Sequence, residues 1–219
     1  MQKKNLPISA FVSVLLIIII LFSGCKPTIY TSPKFSSERE QHKILAILPF
    51  DVTIAMKKLP QSMTVEMLRE MEEDEAYGVQ GEIYTYFLKR TSEGRYTIEF
   101  QDIDTTNALL SKAEIAYGKI RNYSKSELAE ILNVDVVLSG RIRRSKPMST
   151  GAAIALAVLF APFGTTNKVD VDVAIHSRSD SKLIWNYNHT YSGGIGSSPQ
   201  RLTKALMKHI SKKFPYSKK

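Results

Sequence analysis

The sequence predicts a single domain of the α/β (α+β) class, with a mixed β-sheet of about five strands and helices packed on it. Three observations predict this. Short stretches such as ILAIL at 44–48 run apolar throughout, or alternate as VDVDVAI does at 169–175, which is the habit of strands. Between them lie segments with helical spacing and recognisable caps. The order of the two patterns is strand, helix, strand, helix, helix, strand, strand, strand, helix, and such a mixture of crossovers and hairpins builds a mixed sheet.

The elements follow in chain order. KILAILPFDV, bounded by charge, reads as a buried first strand. MTVEMLREMEEDEAYG puts Met63, Met67, Leu68 and Met71 on one helical face, and GEIYTYFLKR continues with Ile83, Phe87 and Leu88 until Gly94, a long or broken helix. YTIEFQD alternates as a strand from Tyr96. In DTTNALLSKA, Asp104 is the expected N-cap and Leu109, Leu110 and Ala113 the buried side. Ser124 to Glu127 has capping-box spacing and opens a helix carrying Leu128, Ile131 and Leu132.

VDVVLSGRIRR follows as a strand. KVDVDVAIHSRSD and KLIWNYNHTYS form a hairpin about a Ser-Asp-Ser turn, with Leu183, Trp185 and Tyr187 sharing a face. This turn sets His176 roughly opposite Trp185 and His189 opposite Asp172. The chain closes on a helix with Ser198 as cap, Pro199 first, and Leu202, Leu206, Ile210 and Phe214 inside. Its late lysines suit the negative end of the helix dipole.

The amino terminus speaks to location. Lys3 and Lys4 precede FVSVLLIIIILF, the basic and apolar regions of an export signal. LFSGC, ending at Cys25, resembles a bacterial lipobox, which implies cleavage after residue 24 and lipid, palmitate-like acyl chains included, on the Cys25 thiol. At ~0.8 kcal/mol per buried methylene, several chains fix a protein to its membrane. Cys25 is the one cysteine, so no intramolecular disulfide can form. Lys26 follows it where an Asp would favour inner-membrane retention in proteobacterial lipoproteins, so the analogy implies the periplasmic face of the outer membrane. The expected division is a signal peptide over 1–24, a lipidated flexible tether over 25–42, and a domain over 43–216 with an apolar insertion at 150–164.

That insertion is the oddest feature. From Gly151 to Phe163 it carries no charge. As a helix it would span about 20 Å, short of the ~30 Å core of a bilayer. Arg141, Arg143, Arg144 and Lys146 stand ahead of it and Lys168 just after, an arrangement suited to a segment resting at head-group level. The candidate membrane or partner contacts are Ala152, Ile154, Leu156, Val158, Leu159, Phe160 and Phe163. Three readings stay open: packing on the sheet or a neighbouring subunit, lying in the membrane interface, or contributing to a shared barrel. The stretch does not alternate as a barrel strand would.

Taken together, ILAILPFDV at 44–52, SELAEILNVDVVLSGRI at 126–142, KLIWNYN at 182–188 and the closing amphipathic helix resemble a group of envelope lipoproteins. These are the relatives of the curli-secretion lipoprotein, the meningococcal antigen lipoproteins and the lipoprotein activators of penicillin-binding proteins. They share a domain similar to the amino-terminal domain of the Tol-Pal β-propeller protein. The resemblance implies a non-enzymatic scaffold or accessory subunit of a secretion or cell-wall assembly complex, able to bind other proteins and to assemble with copies of itself. Its alternative is an oligomeric secretion channel.

Composition narrows the chemistry. The formal charge is +9 and 43% of residues are apolar, a globular balance. In an exported chain such an excess suits a simple solvated surface, or else anionic lipid head groups or cell-wall polymer, rather than nucleic acid. The four histidines, His42, His176, His189 and His209, lie in different elements without metal-ligand spacing, and no cofactor motif is present. MEEDE at 71–75 reads as a solvated helix face, and GGIGSS at 193–198 as a turn lacking the Lys-Ser/Thr of a phosphate loop.

Overall fold

The computed structural model describes residues 26–56, 58–145, 168–192 and 199–218. Seven strands among them form one mixed sheet: β1 Thr28–Thr31, β2 Ile44–Ile47, β3 Asp51–Ala55, β4 Glu99–Phe100, β5 Val136–Ser145, β6 Lys168–Ser177 and β7 Leu183–Ser192. Their order is β1-β7-β6-β5-β2-β4, with β3 also beside β5. The sheet has two halves. From β4 to β5 neighbours run parallel, and from β5 to β1 they run antiparallel. Parallel neighbours need long crossovers, and the helices supply them, while one turn joins β6 to β7. The expected class is right and the expected strand count low.

The two additional strands have separate origins. KILAILPFDV was expected to be one strand and is two. Leu45 pairs with Val136 and Ile47 with Leu138, but Asp51 pairs with Arg141, so Leu48 to Phe50 stand opposite only Ser139 and Gly140. Pro49 has no N–H for the ladder, and the bulge falls there. Phe50 is fully buried over Gly140, where a Cβ would lie 2.0 to 2.5 Å from three of its ring carbons.

The other additional strand overturns the tether. Within 26–42, Thr28 to Thr31 pair antiparallel with Asn188 to Trp185, and Phe35 is buried in the main core. Thr and Tyr favour strand, and the open edge of β7 supplies the partner. The ordered domain therefore begins well before residue 43.

One face of the sheet carries the main core. Leu45, Ile47, Val171, Val173, Ile175, Trp185 and Tyr187 are buried there. Over them lie α2, Val65–Ser92, and α5, Pro199–Ile210; the short helix α1, Phe35–Glu38, contributes Phe35. The long helix is unbroken. Thr64 caps it by accepting from Met67 N–H at 3.2 Å, and Gly94, with φ +69°, follows its end. Ala76, Val79, Ile83 and Phe87 form its buried stripe. At about 100° per residue Met67 falls on the opposite side from Ala76, and both it and Leu88, expected inside, are exposed. In α5, Leu202, Leu206 and Ile210 are buried as expected, with Phe214 beyond; Ser198 lies outside the described residues.

The other face is covered over only part of its area. Helix α3, Ile103–Lys112, and α4, Lys125–Ile131, set Leu110, Leu128 and Leu132 on Ala46, Leu48 and Val137. The capping box of Ser124 and Glu127 is present. The cap of α3 is Asp102 rather than Asp104: its carboxylate accepts from the N–H groups of Asp104 and Thr105. With that start, Thr106 and Leu110 face inward and Ala113, past the last turn, is exposed.

Two further expectations shift. Strand β4 is only Glu99–Phe100, because Tyr96 bridges to Ser217 instead. In the hairpin Trp185 pairs with Ile175 and His189 with Val171, one residue from the expected register, and a bulge between Ile175 and His176 sets His176 against Leu183. Cross-strand partners share a face, so buried Trp185 must sit opposite a core residue. The bulge turns Leu183 outward and puts Ile184 inside.

Candidate functional site

Where α3 and α4 stop, the second face of the sheet continues as a polar surface. Arg141 and Arg143 project there from β5, Asp170 and Asp172 from β6, and Asn186, Asn188 and Thr190 from β7, all exposed or half-buried. Register places Arg141 opposite Asp172 and Arg143 opposite Asp170, so residues of opposite charge occupy facing positions on successive rungs of this face. Neutral donors complete the ladder. The Thr190 hydroxyl donates to Asp170 at 2.6 Å, and the amides of Asn186 and Asn188 donate to Asp172 at 3.0 and 3.3 Å. The Thr190 bond holds the Asp170 carboxyl below the usual carboxylate range, and Lys168, 3.2 Å away, acts the same way.

Of the basic flank, Arg141, Arg143 and Lys168 lie on this face. Arg144 does not. It turns to the core side and meets Glu75 of α2 at 2.5 Å, with both side chains about nine-tenths buried (11% and 12% exposed). An alternating strand sends neighbours to opposite faces, so four basic residues in one run could never share one surface. Lys146, Cys25 and the contact set Ala152, Ile154, Leu156, Val158, Leu159, Phe160 and Phe163 lie outside the described residues. Ser145 and Lys168 form the last rung before that segment.

At the inner border of the open face, where it meets α4 and the 3-10 turn Tyr117–Asn122, lies a cavity of about 310 Å³. Asp51, Arg121, Lys125, Arg141, Asp172 and His176 line it. Asp51 is shared, 3.8 Å from Arg121 and 3.6 Å from Arg141. Burial holds the Lys125 ammonium below its ordinary pKa, partly countered by Asp51. Burial also lowers His176, and the nearby Lys125 charge adds to that. Its ring Nδ1 is out of solvent with no hydrogen-bond partner among the described residues.

Tyr117 ties this cavity to the sheet. Its hydroxyl accepts from Val52 N–H at 3.0 Å, and Glu72 accepts from Ile54 N–H at 2.8 Å, so the outer edge of β3 is closed by side chains. Burial pushes the Tyr117 phenol up to about 12. Among the described residues no group of three or more His, Cys, Asp and Glu is placed to hold a metal ion, and no helix is long and apolar enough to cross a membrane.

Sequence reading missed the cavity because its residues come from separate segments with no shared period. One signal was present: a lysine directly after the Ser124 cap, where acidic residues suit the helix dipole better.

No family model matches the chain, and no curated protein matches it. Among solved structures it is similar to the lipoprotein GNA1162 from Neisseria meningitidis, at 11% identity and a TM-score of 0.45, over 78% of this chain and 94% of that one. It is similar also to PelC from Paraburkholderia phytofirmans, solved as a dodecamer, at 12% identity, TM-score 0.44, over 89% and 99%. The C-terminal domain of LpoB from Salmonella enterica follows at 8% identity, TM-score 0.35, over 71% and 91%. All three scores lie below 0.5, a loose likeness of overall fold.

Proposed function

We propose that this protein is a lipid-anchored envelope protein, held through Cys25 at the periplasmic face of the outer membrane. There it serves as a non-enzymatic accessory or scaffold subunit, with residues 151–163 as its contact element and Arg141, Arg143, Lys146 and Lys168 as the basic flank. One observation supports this above the others. Strand β1 runs antiparallel to β7, so the chain upstream of Thr28 points toward the end of the sheet occupied by Ser145 and Lys168. Only Lys26 and Pro27 separate Thr28 from Cys25, a reach of about 10 Å when extended.

A lipid on Cys25 would thus hold the domain end-on. The segment between Ser145 and Lys168 leaves the sheet at that same end, and its apolar middle would need no long excursion to meet acyl chains. Arg143 and Lys168 would face anionic head groups, where each nearby cation contributes about 1 kcal/mol.

The test combines two variants in the producing cell. Cys25→Ser should lose incorporation of a palmitate analogue and move from the membrane to the soluble envelope fraction; continued labelling or unchanged fractionation would refute the anchor. Deletion of residues 151–164 should leave the anchor intact but release co-purifying envelope proteins, and an unchanged set would refute the contact role. Light scattering of the detergent-extracted protein should report a monomer or small oligomer. A large closed ring would replace the accessory reading with a channel.

A further inference from the structure

The cavity beside α4 holds more positive charge than its surroundings satisfy. Its three fixed cations, Arg121, Lys125 and Arg141, face two carboxylates, Asp51 and Asp172. Both carboxylates are already engaged: Asp51 lies between the two arginines, and Asp172 accepts from Asn186 and Asn188. Lys125 is half-buried and has no hydrogen bond and no ion pair within 4 Å among the described residues. Removing an ammonium from water without a partner is costly. The neighbouring His176 Nδ1 is also buried and unmatched.

We propose that this cavity is a binding site for a phosphate-type oxyanion, with Lys125 and Arg141 supplying the charge and His176 and Tyr117 the hydrogen bonds. The donors belong to four separate elements, α4, β5, β6 and the 3-10 turn. A phosphate group offers more oxygens to share among four such donors than the two of a carboxylate. Tyr117 accepts from Val52 N–H and keeps its own proton to donate. Arg141, with 71% of its side chain exposed, is free to swing from Asp51 onto a ligand at the mouth. The same chemistry could come from free phosphate, a phosphorylated glycan or a lipid head group. The site stands whether or not Cys25 carries lipid.

Calorimetry on the full-length chain in mild detergent would test it, with inorganic phosphate as one probe and a soluble short-chain phosphatidylglycerol as the other. Saturable binding of at least one is expected, weakened about tenfold or more by Lys125→Gln and kept within about threefold by Lys125→Arg. Lys112→Gln, on exposed α3 surface, should change nothing. Tighter phosphate binding would point to a free or glycan-borne group, and tighter phosphatidylglycerol binding to a head group. Should Lys125→Gln fail to fold by circular dichroism, Arg141→Gln reads the same loss from an exposed position. No binding of either probe at millimolar concentration overturns the site, as does binding that ignores both substitutions.

Discussion

The two faces of the sheet are built from the same strands and do opposite things. Along β7, Trp185, Tyr187 and Tyr191 disappear into the core while Asn186, Asn188 and Thr190, the residues between them, make a lattice of hydrogen bonds at the surface. Along β5, Ile142 and Arg144 face α2 while Arg141 and Arg143 face outward. One face is committed to stability. The other is covered by α3 and α4 near the start of β5 and left polar beyond, which makes it the place where binding can be added without disturbing the fold.

The largest expected effect breaks the covered face. Trp185→Ala removes the largest fully buried side chain, at a cost of about 3–5 kcal/mol by denaturant unfolding. Glu75→Ala leaves the nearly buried Arg144 without its carboxylate and should cost ~3 kcal/mol, the low end for a buried pair. Gly140→Ala drives a methyl into the Phe50 ring, an overpacking worth about 1–3 kcal/mol, read as a lower melting temperature. On the open face Asn188→Ala should change stability by no more than about 0.5 kcal/mol. A large loss there would mean that the polar lattice carries the fold as well.

Acid sharpens the contrast. Burial holds His42, His176 and His189 below the ordinary histidine pKa of 6.5. As pH falls through 6.5 the unfolded chain binds protons before the folded one does, so stability falls with pH in that window and rises again toward neutrality. Thermal melts between pH 7.5 and 5 should show it, and a flat profile would mean that these rings titrate freely in the folded state.

Much of this was legible in the sequence because much of it is periodic. The alternation of Val169 to Ile175, the capping box at Ser124 and the stripe of Leu202, Leu206 and Ile210 are local patterns, and each marks its element correctly. What stayed hidden depends on partners far along the chain. The strand preference of TIYT is too short a signal to act on until β7 offers an edge, and the register of Trp185 is set by a bulge that no local rule foretold. The cavity was least legible: Asp51, Lys125 and His176 meet only because β3, α4 and β6 converge.

The pairing of β1 with β7 also dictates a history for the chain. The first of the described strands joins the sheet beside the last of them, so β1 has no partner until the chain has been made through β7. Contacts that close so long a loop form late. Docking of β1 would then be the final step of folding, and it would seat the residues ahead of Thr28 against the domain only once the rest of the sheet was complete.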